Sequence, residues 1–330
     1  MTPRLRPAAG AAHARILGVG AYRPARVVTN DEIASAIESS DTWIRERSGI
    51  VSRRFAAADE TTASMGAVAA GKALAHAGVA PEQVGAVILA TITHPYQTPA
   101  AASDVAFRIG ARHAAAFDVS AGCAGFSYAL ALANDAVRGG SAEHVLVIGS
   151  EKLSDFTDPS DRGTAFIFAD GAGAVVVGPA TEPGIGPTVW GSDGGQLQAI
   201  EMPWGGVVAE MAWPYLRMQG QAVFRWAVWQ MAPVANRALD AAGLRADDLD
   251  AFIPHQANLR ITDAMIKAMK LPARVAVARD VVDSGNTSAA SIPLAMERML
   301  ATGQARSGDT ALLIGFGAGL AYAAQVVILP

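Results

Sequence analysis

AAAFDVSAGCAGFSYALALANDA, residues 114–136, is the stretch from which the rest of the chain is read. Residues 114–119 are a short apolar run that predicts a buried strand. Ser120-Ala121-Gly122 is a turn of small residues, and from Cys123 onward apolar residues recur at helical spacing until Gly139-Gly140 supplies a stop. A helix apolar on nearly all sides belongs in a core, so Cys123 stands where a buried strand hands over to a buried helix. The first N–H groups of a helix have no partner within it. They favour a thiolate over a thiol and can hold a developing oxyanion. A lone cysteine is more often a small core hydrophobe, but a small-residue turn at a helix start tips this one toward a nucleophile.

Moving outward, the chain compares with itself. KALAHAGVAPEQVGAVILA at 72–90 and RALDAAGLRADDLDAFIPH at 237–255 align with identities at Ala73/Ala238, Leu74/Leu239, Ala77/Ala242, Gly78/Gly243, Ala86/Ala251 and Ile88/Ile253. Each copy reads as a helix closed by glycine, an acidic loop and a buried strand. VLVIG at 145–149 pairs in the same way with ALLIG at 311–315. Between these markers each half carries a strand, a small-residue turn and a helix, the turn being SAGCAGF in the first half and SGNTSAAS at 284–291 in the second. Alternating strands and helices predict α/β layers with mostly parallel sheets. We expect a tail over 1–12, one half over 13–183 and a second over 184–330. Ligands in such folds bind at the carboxyl ends of strands. Cys123, His255 and Asn286 all occupy such ends, and pseudo-twofold packing would bring them together.

Composition sets the limits. At 330 residues, with 51% hydrophobic and 17% charged side chains, the chain has a large core and is not disordered. A net charge of −4 gives no overall field for nucleic acid. One cysteine excludes an intrachain disulfide framework and a cysteine-cluster metal site, and fits a reducing cytoplasm. The N-terminal residues carry positive charge but no apolar signal segment. Residues 310–330 have no charge, but their glycines predict two buried strands around a turn, not a membrane helix.

His255 follows a buried strand directly in IPHQAN; its bland reading is a satisfied core histidine. Asn286 reads equally as a helix N-cap. The glycine-rich loop 315–319 is either a hairpin turn or a backbone donor to an oxyanion. Cysteine, histidine and asparagine together point to acyl transfer through a thioester. A papain-like hydrolase uses the same three types, without needing a duplicated, glycine-lined core.

Over residues 14–330 the sequence resembles the β-ketoacyl-acyl carrier protein synthase III family, most closely its actinomycete-type members. The resemblance is carried by SDTWIRERSGI, AFDVSAGCAGFSYAL, DRGTAFIFADGAGAVV, IPHQANLRI, GNTSAASIP and IGFGAGLAYAA. It implies a thiolase-like fold of two pseudo-symmetric α/β halves in a five-layered αβαβα core. It also implies that Cys123 takes an acyl group from acyl-CoA, while His255 and Asn286 hold the carbonyl of malonyl-carrier protein (malonyl-ACP) as it loses CO2. The implied oxyanion hole is the N–H of Cys123 and of Ala318, where many relatives carry glycine. Trp43 and Arg162 match a pair that sandwiches the CoA adenine, and Arg47 a basic residue near the nucleotide. Phe224 and Asn258 match the pantetheine tunnel. Thr98 matches an acyl-pocket gate that is phenylalanine in some acetyl-CoA users, which implies branched or longer primers. No metal or other cofactor is implied, and the family is homodimeric.

For the carrier protein, Arg260, Lys267 and Lys270 fall within roughly 80° of one helix face at 3.6 residues per turn. Arg225 extends this face, which suits an acidic partner; the bland reading is a solvated helix surface. Asp283-Ser284 stand where many relatives have basic or aromatic residues. Three rivals remain: a starter-unit synthase for a polyketide or other natural product, an O- or N-acyltransferase on the same scaffold, and a non-catalytic partner subunit. The complete Cys-His-Asn set argues against the last.

Overall fold

The structure, a computed structural model, describes residue 5 and residues 8–203 and 215–330. Runs rich in valine, isoleucine and leucine become strands because such side chains fill a pleated surface covered on both faces. The first half contributes β1 (His13–Tyr22), β2 (Val84–Ala90), β3 (Ala115–Val119), β4 (His144–Lys152) and β5 (Asp170–Ala180). They form one sheet in the order β1-β5-β4-β2-β3. The second half contributes β6 (Val189–Ser192), β7 (Ala251–Pro254), β8 (Ala276–Val277), β9 (Thr310–Gly317) and β10 (Ala321–Ile328), ordered β6-β10-β9-β7-β8.

The pairing repeats strand for strand. β1–β5 and β5–β4 are antiparallel, then β4–β2 and β2–β3 parallel. β6–β10 and β10–β9 are antiparallel, then β9–β7 and β7–β8 parallel. Register is kept too: Ala86 faces Ala115 in the first sheet, and Ala251 faces Ala276 in the second. The repeat seen in the sequence is thus a repeat of topology.

Seven helices matter for the site: α1 (Asp41–Ser48), α2 (Thr62–Ala77), α3 (Ala101–Ile109), α4 (Gly125–Gly139), α5 (Gly220–Ala242), α6 (Leu259–Met269) and α7 (Ser291–Ala301). α2 and α3 cover the outer face of the first sheet, and α5, with α6 against it, covers the outer face of the second. α4 and α7 lie between the sheets, so the layers run αβαβα. α2 and α5 each stop at a left-handed glycine, Gly78 and Gly243, which closes a helix without steric cost. The middle layer joins Phe126 and Leu130 of α4 to Ile292 and Met296 of α7, with Ile88 and Val147 from one sheet and Ile253 and Leu313 from the other. Burying an aliphatic or aromatic side chain of this kind contributes about 1.5–3 kcal/mol, so the halves hold each other folded.

Residues 310–330 are β9 and β10, paired antiparallel, and no helix among the described residues is long and apolar enough to cross a membrane. One expectation fails. β3, read as a buried strand, lies at the sheet's edge and is only partly covered, with Phe117 41% exposed. Its apolar residues are there without a second neighbour to bury them.

Candidate active site

The turn before α4 is a single 3-10 turn, Gly122–Ala124, so Cys123 sits just ahead of the α-helix and not within it. The turn before α7 has the same form, Ser288–Ala290, 166 positions later. Both open on a left-handed residue, Gly122 at φ 52° and Ser288 at φ 48°. The turns touch each other between the sheets. One cavity of about 610 Å³ is lined by Cys123, His255 and Asn286 together, with Phe316 and Gly317 at the end of β9 and Ala318 just after it.

Cys123 is half-buried. A Cβ on Gly317 would fall 2.8 Å from its Cβ and 2.9 Å from its Sγ, so only glycine fits behind the thiol. A Cβ on Gly122 would lie 3.1 Å from the Ala318 nitrogen, which brings the Ala318 peptide against the cysteine turn. The expected thiolate is not the resting form. Burial pushes the Cys123 thiol up to about 12; the Ser288 hydroxyl opposes this and the Glu151 carboxylate adds to it. Desolvation outweighs the pull of the helix start.

His255 continues β7, its N–H donating to Ile314 O at 2.7 Å. Its Nδ1 lies 2.7 Å from Ser291 Oγ, which accepts from the Gln256 N–H at 3.3 Å. The Nδ1 bond is compatible with the tautomer in which the Ser291 hydroxyl donates to Nδ1 and the ring proton sits on Nε2, the tautomer that would make Nε2 a donor to the cavity. Phe316 packs edge-on at 5.3 Å. Burial drives the imidazole down to about 3, so it is neutral across the working pH range. Asn286 is fixed by backbone bonds to Ile167 O and from the Ala169 N–H, both 2.9 Å. Its Oδ1 accepts the Ser288 N–H at 2.9 Å, which orients the amide and leaves Nδ2 as a donor. It is not the helix N-cap read from the sequence: Thr287 precedes the 288–290 turn and Ala290 precedes α7, neither with a side-chain cap bond, while Asn286 closes a local turn onto Ser288 and lines the cavity.

At the mouth, Arg162 lies over the Trp43 ring at 4.7 Å and Arg47 at 5.7 Å. The pair meets, but with no gap for a base, so a sandwich requires Arg162 to lift. Phe224 lines the cavity and carries the Arg260 guanidinium over its ring at 5.0 Å. Asn258 also lines it, but its amide is committed: Oδ1 caps α6 through the Arg260 N–H, and Nδ2 donates to Arg47 O. Arg225 lines the mouth, and Arg260 and Lys267 are exposed on α6. Lys270 departs from the expected arc: it is the left-handed cap residue at φ 52°, beyond the last turn of α6. Thr98 is exposed and does not line the cavity of its own chain, because the 94–99 loop faces outward.

Comparison with known proteins places this architecture. The family described as 3-Oxoacyl-[acyl-carrier-protein (ACP)] synthase III matches residues 117–194, and its C-terminal counterpart matches 239–329. The chain is 62% identical to beta-ketoacyl-[acyl-carrier-protein] synthase III of Streptomyces glaucescens, over 99% of both chains. The chain belongs to this family. It is also 56% identical to the synthase III of Mycobacteroides abscessus, over 96% of this chain and 94% of that one. Among solved structures it superposes on the priming β-ketosynthase of the R1128 polyketide pathway (TM-score 0.96, 47% identity, 99% of both chains). It superposes also on the Pseudomonas aeruginosa synthase III (TM-score 0.90, 40% identity, 96% of this chain and 98% of that one).

Three residues beside the synthase III cavity escaped the sequence reading: Ser288, Ser291 and Glu151. Glu151, next to last in β4, is fully buried, its carboxylate accepting from Thr93 Oγ1 at 2.6 Å, Thr91 Oγ1 at 3.0 Å and the Ile92 N–H at 3.1 Å. Burial raises it to about 7. The available signal was GSEK: a charged pair closing an apolar strand at its carboxyl end, where α/β sites form.

Proposed function

We propose that the chain is a β-ketoacyl-ACP synthase III that condenses an acyl-CoA primer with malonyl-ACP, releasing CoA and CO2 to start a fatty acid. The observation that carries this is one cavity holding a half-buried cysteine, a neutral imidazole and an oriented carboxamide. Cys123 Sγ attacks the acyl carbonyl, whose oxygen gains charge beside the Cys123 and Ala318 N–H groups, and CoA departs as its thiol. The malonyl thioester oxygen then lies between His255 Nε2–H and Asn286 Nδ2–H. Both are neutral donors; as CO2 leaves, charge flows to that oxygen, and donors aimed at it lower the barrier. The enolate carbon attacks the acyl-cysteine and frees the thiolate, which a proton restores to thiol.

Trp43, Arg162 and Arg47 are assigned to the nucleotide end of CoA, and Phe224 and Asn258 to its arm. Arg225, Arg260 and Lys267, with Lys270 beyond the helix end, are assigned to the acidic carrier protein. No metal or further cofactor is invoked. The chain acts as a cytoplasmic homodimer in this reading: exposed Phe117 on edge strand β3, with Tyr96 66% and Phe107 68% exposed, supplies apolar surface for a second copy. Thr98, two residues from Tyr96, then acts as gate only in the partner's cavity, where a small side chain admits branched or longer primers. Starter-unit synthesis for a polyketide is the second reading, favoured by the likeness to the R1128 priming enzyme; its chemistry is the same.

The test is mass spectrometry of Cys123 after exposure to a panel of acyl-CoAs, followed by labelled CO2 release from malonyl-ACP. Acylation with CO2 release supports the condensing reading. Acylation without CO2 release makes the chain a plain acyltransferase.

A further inference from the structure

We infer that Glu151 accepts the proton of Cys123 during acylation, with the Ser288 hydroxyl carrying it between them. This rests on the acyl-cysteine reading above but concerns a group to which that reading gives no part.

Glu151 is a carboxylate with no exposed surface, and among the described residues no cation pairs with it. Its neighbour Lys152 turns away, its Nζ donating to Ala57 O and meeting Asp155. An isolated buried carboxylate is costly, yet this one is kept and supplied with two threonine hydroxyls and a backbone N–H. On the side toward the cavity lies Ser288. It lines the cavity with Cys123, and its turn packs against both the 122–124 turn and β4; its buried hydroxyl has no hydrogen-bond partner at rest and favours the anion of both the thiol and the carboxylate. Ser288 also holds a left-handed backbone, which normally selects glycine, as at Gly122. A serine kept there costs strain that the fold alone does not require. Cys123, Thr91 and Thr93 are the other hydroxyl or thiol groups around this carboxylate.

The step balances. The Cys123 S–H proton moves to Ser288 Oγ as the serine's own proton moves to Glu151. Sγ bonds to the acyl carbon, the carbonyl reforms and the bond to the CoA sulfur breaks. The departing CoA thiolate takes the serine's proton, and the serine regains the one on Glu151. Thiol with carboxylate becomes thiolate with carboxylic acid, and the charge then passes through the acyl oxygen to the CoA sulfur and back to Glu151, so the site holds one negative charge throughout. The buried site never carries two anions and never draws a proton from bulk water. A thiol raised to about 12 has few anions of its own at neutral pH, whereas a carboxyl near 7 is poised to take a proton.

The test is single-turnover acylation of wild type, Glu151→Gln and Ser288→Ala by one acyl-CoA from about pH 5.5 to 9, read by the mass of Cys123. Wild type should slow below about pH 7 in step with protonation of Glu151. Both variants should acylate on the order of 10²-fold more slowly at pH 8 and lose that acid limb. CO2 release from malonyl-ACP by the preacylated enzymes should stay within about twofold of wild type, because its donors are His255 and Asn286. Variants that keep the wild-type rate and limb overturn the inference. So does an equal fall in both half-reactions with the limb intact, which marks a structural role. Ser288→Ala removes an oxygen that no formed bond holds, so it carries the test if Glu151→Gln misfolds. A wild type that never acylates Cys123 overturns the parent reading and this one with it.

Discussion

The turns at 122–124 and 288–290 are copies of one device, met in the same place in each half and followed by equivalent central helices. They have been put to opposite uses. The first presents a nucleophile and keeps glycine at its left-handed position. The second presents an amide just before the turn and a hydroxyl at the left-handed position itself, where the side chain must bear a strained backbone. Duplication thus supplies the geometry twice, and in the proposed reaction substitution at single positions divides the labour between electrophile capture and carbanion generation.

Removing one half's contribution should break the comparison most sharply. Cys123→Ala should abolish the acyl adduct by mass while CO2 release from malonyl-ACP persists. His255→Ala or Asn286→Ala should do the reverse, cutting CO2 release on the order of 10²–10³-fold while Cys123 still acylates. Ser288→Gly makes the second turn like the first. It should leave stability unchanged or higher by up to about 1 kcal/mol in urea unfolding, yet slow acylation at least about tenfold. His255 separates the halves in pH as well. Its folded value near 3 lies below the unfolded value of 6.5, so its contribution is full above 6.5 and fades as pH falls toward 3. Urea unfolding should therefore show a loss of about 1 kcal/mol per pH unit in that window that is absent in His255→Phe. The smallest effect is expected at the surface: Lys267→Glu should raise KM for malonyl-ACP a few-fold, less so in high salt, with acylation by acyl-CoA unchanged.

Much of this was legible in the sequence because it depends on local pattern. Gly78 and Gly243, Ala86 and Ala251, and the paired strands at 145 and 311 mark a repeat whose topology follows from its spacing. Cys123 and His255 announce themselves by following strands, whereas Asn286, read the same way, follows a short helix at Val281–Ser284 and makes only an isolated bridge to Phe168. What escaped depends on neighbours far apart in the chain. β3 reads as buried because its residues are apolar, but exposure is set by its edge position. The Cys123 thiol reads as acidified by a helix start, but burial and Glu151 decide otherwise. Glu151 and Ser288 are 137 positions apart and share no local signature. Thr98 belongs to a motif, yet which cavity a motif residue reaches is a matter of quaternary geometry.

The contact between Arg162 and Trp43 reaches further than its 4.7 Å. If Trp43 and Arg162 hold the adenine as proposed, the resting guanidinium occupies the place the purine would take. A CoA thioester then displaces that cation to seat its base, whereas an arm delivered by a carrier protein brings no purine to the doorway and leaves the cation where it rests.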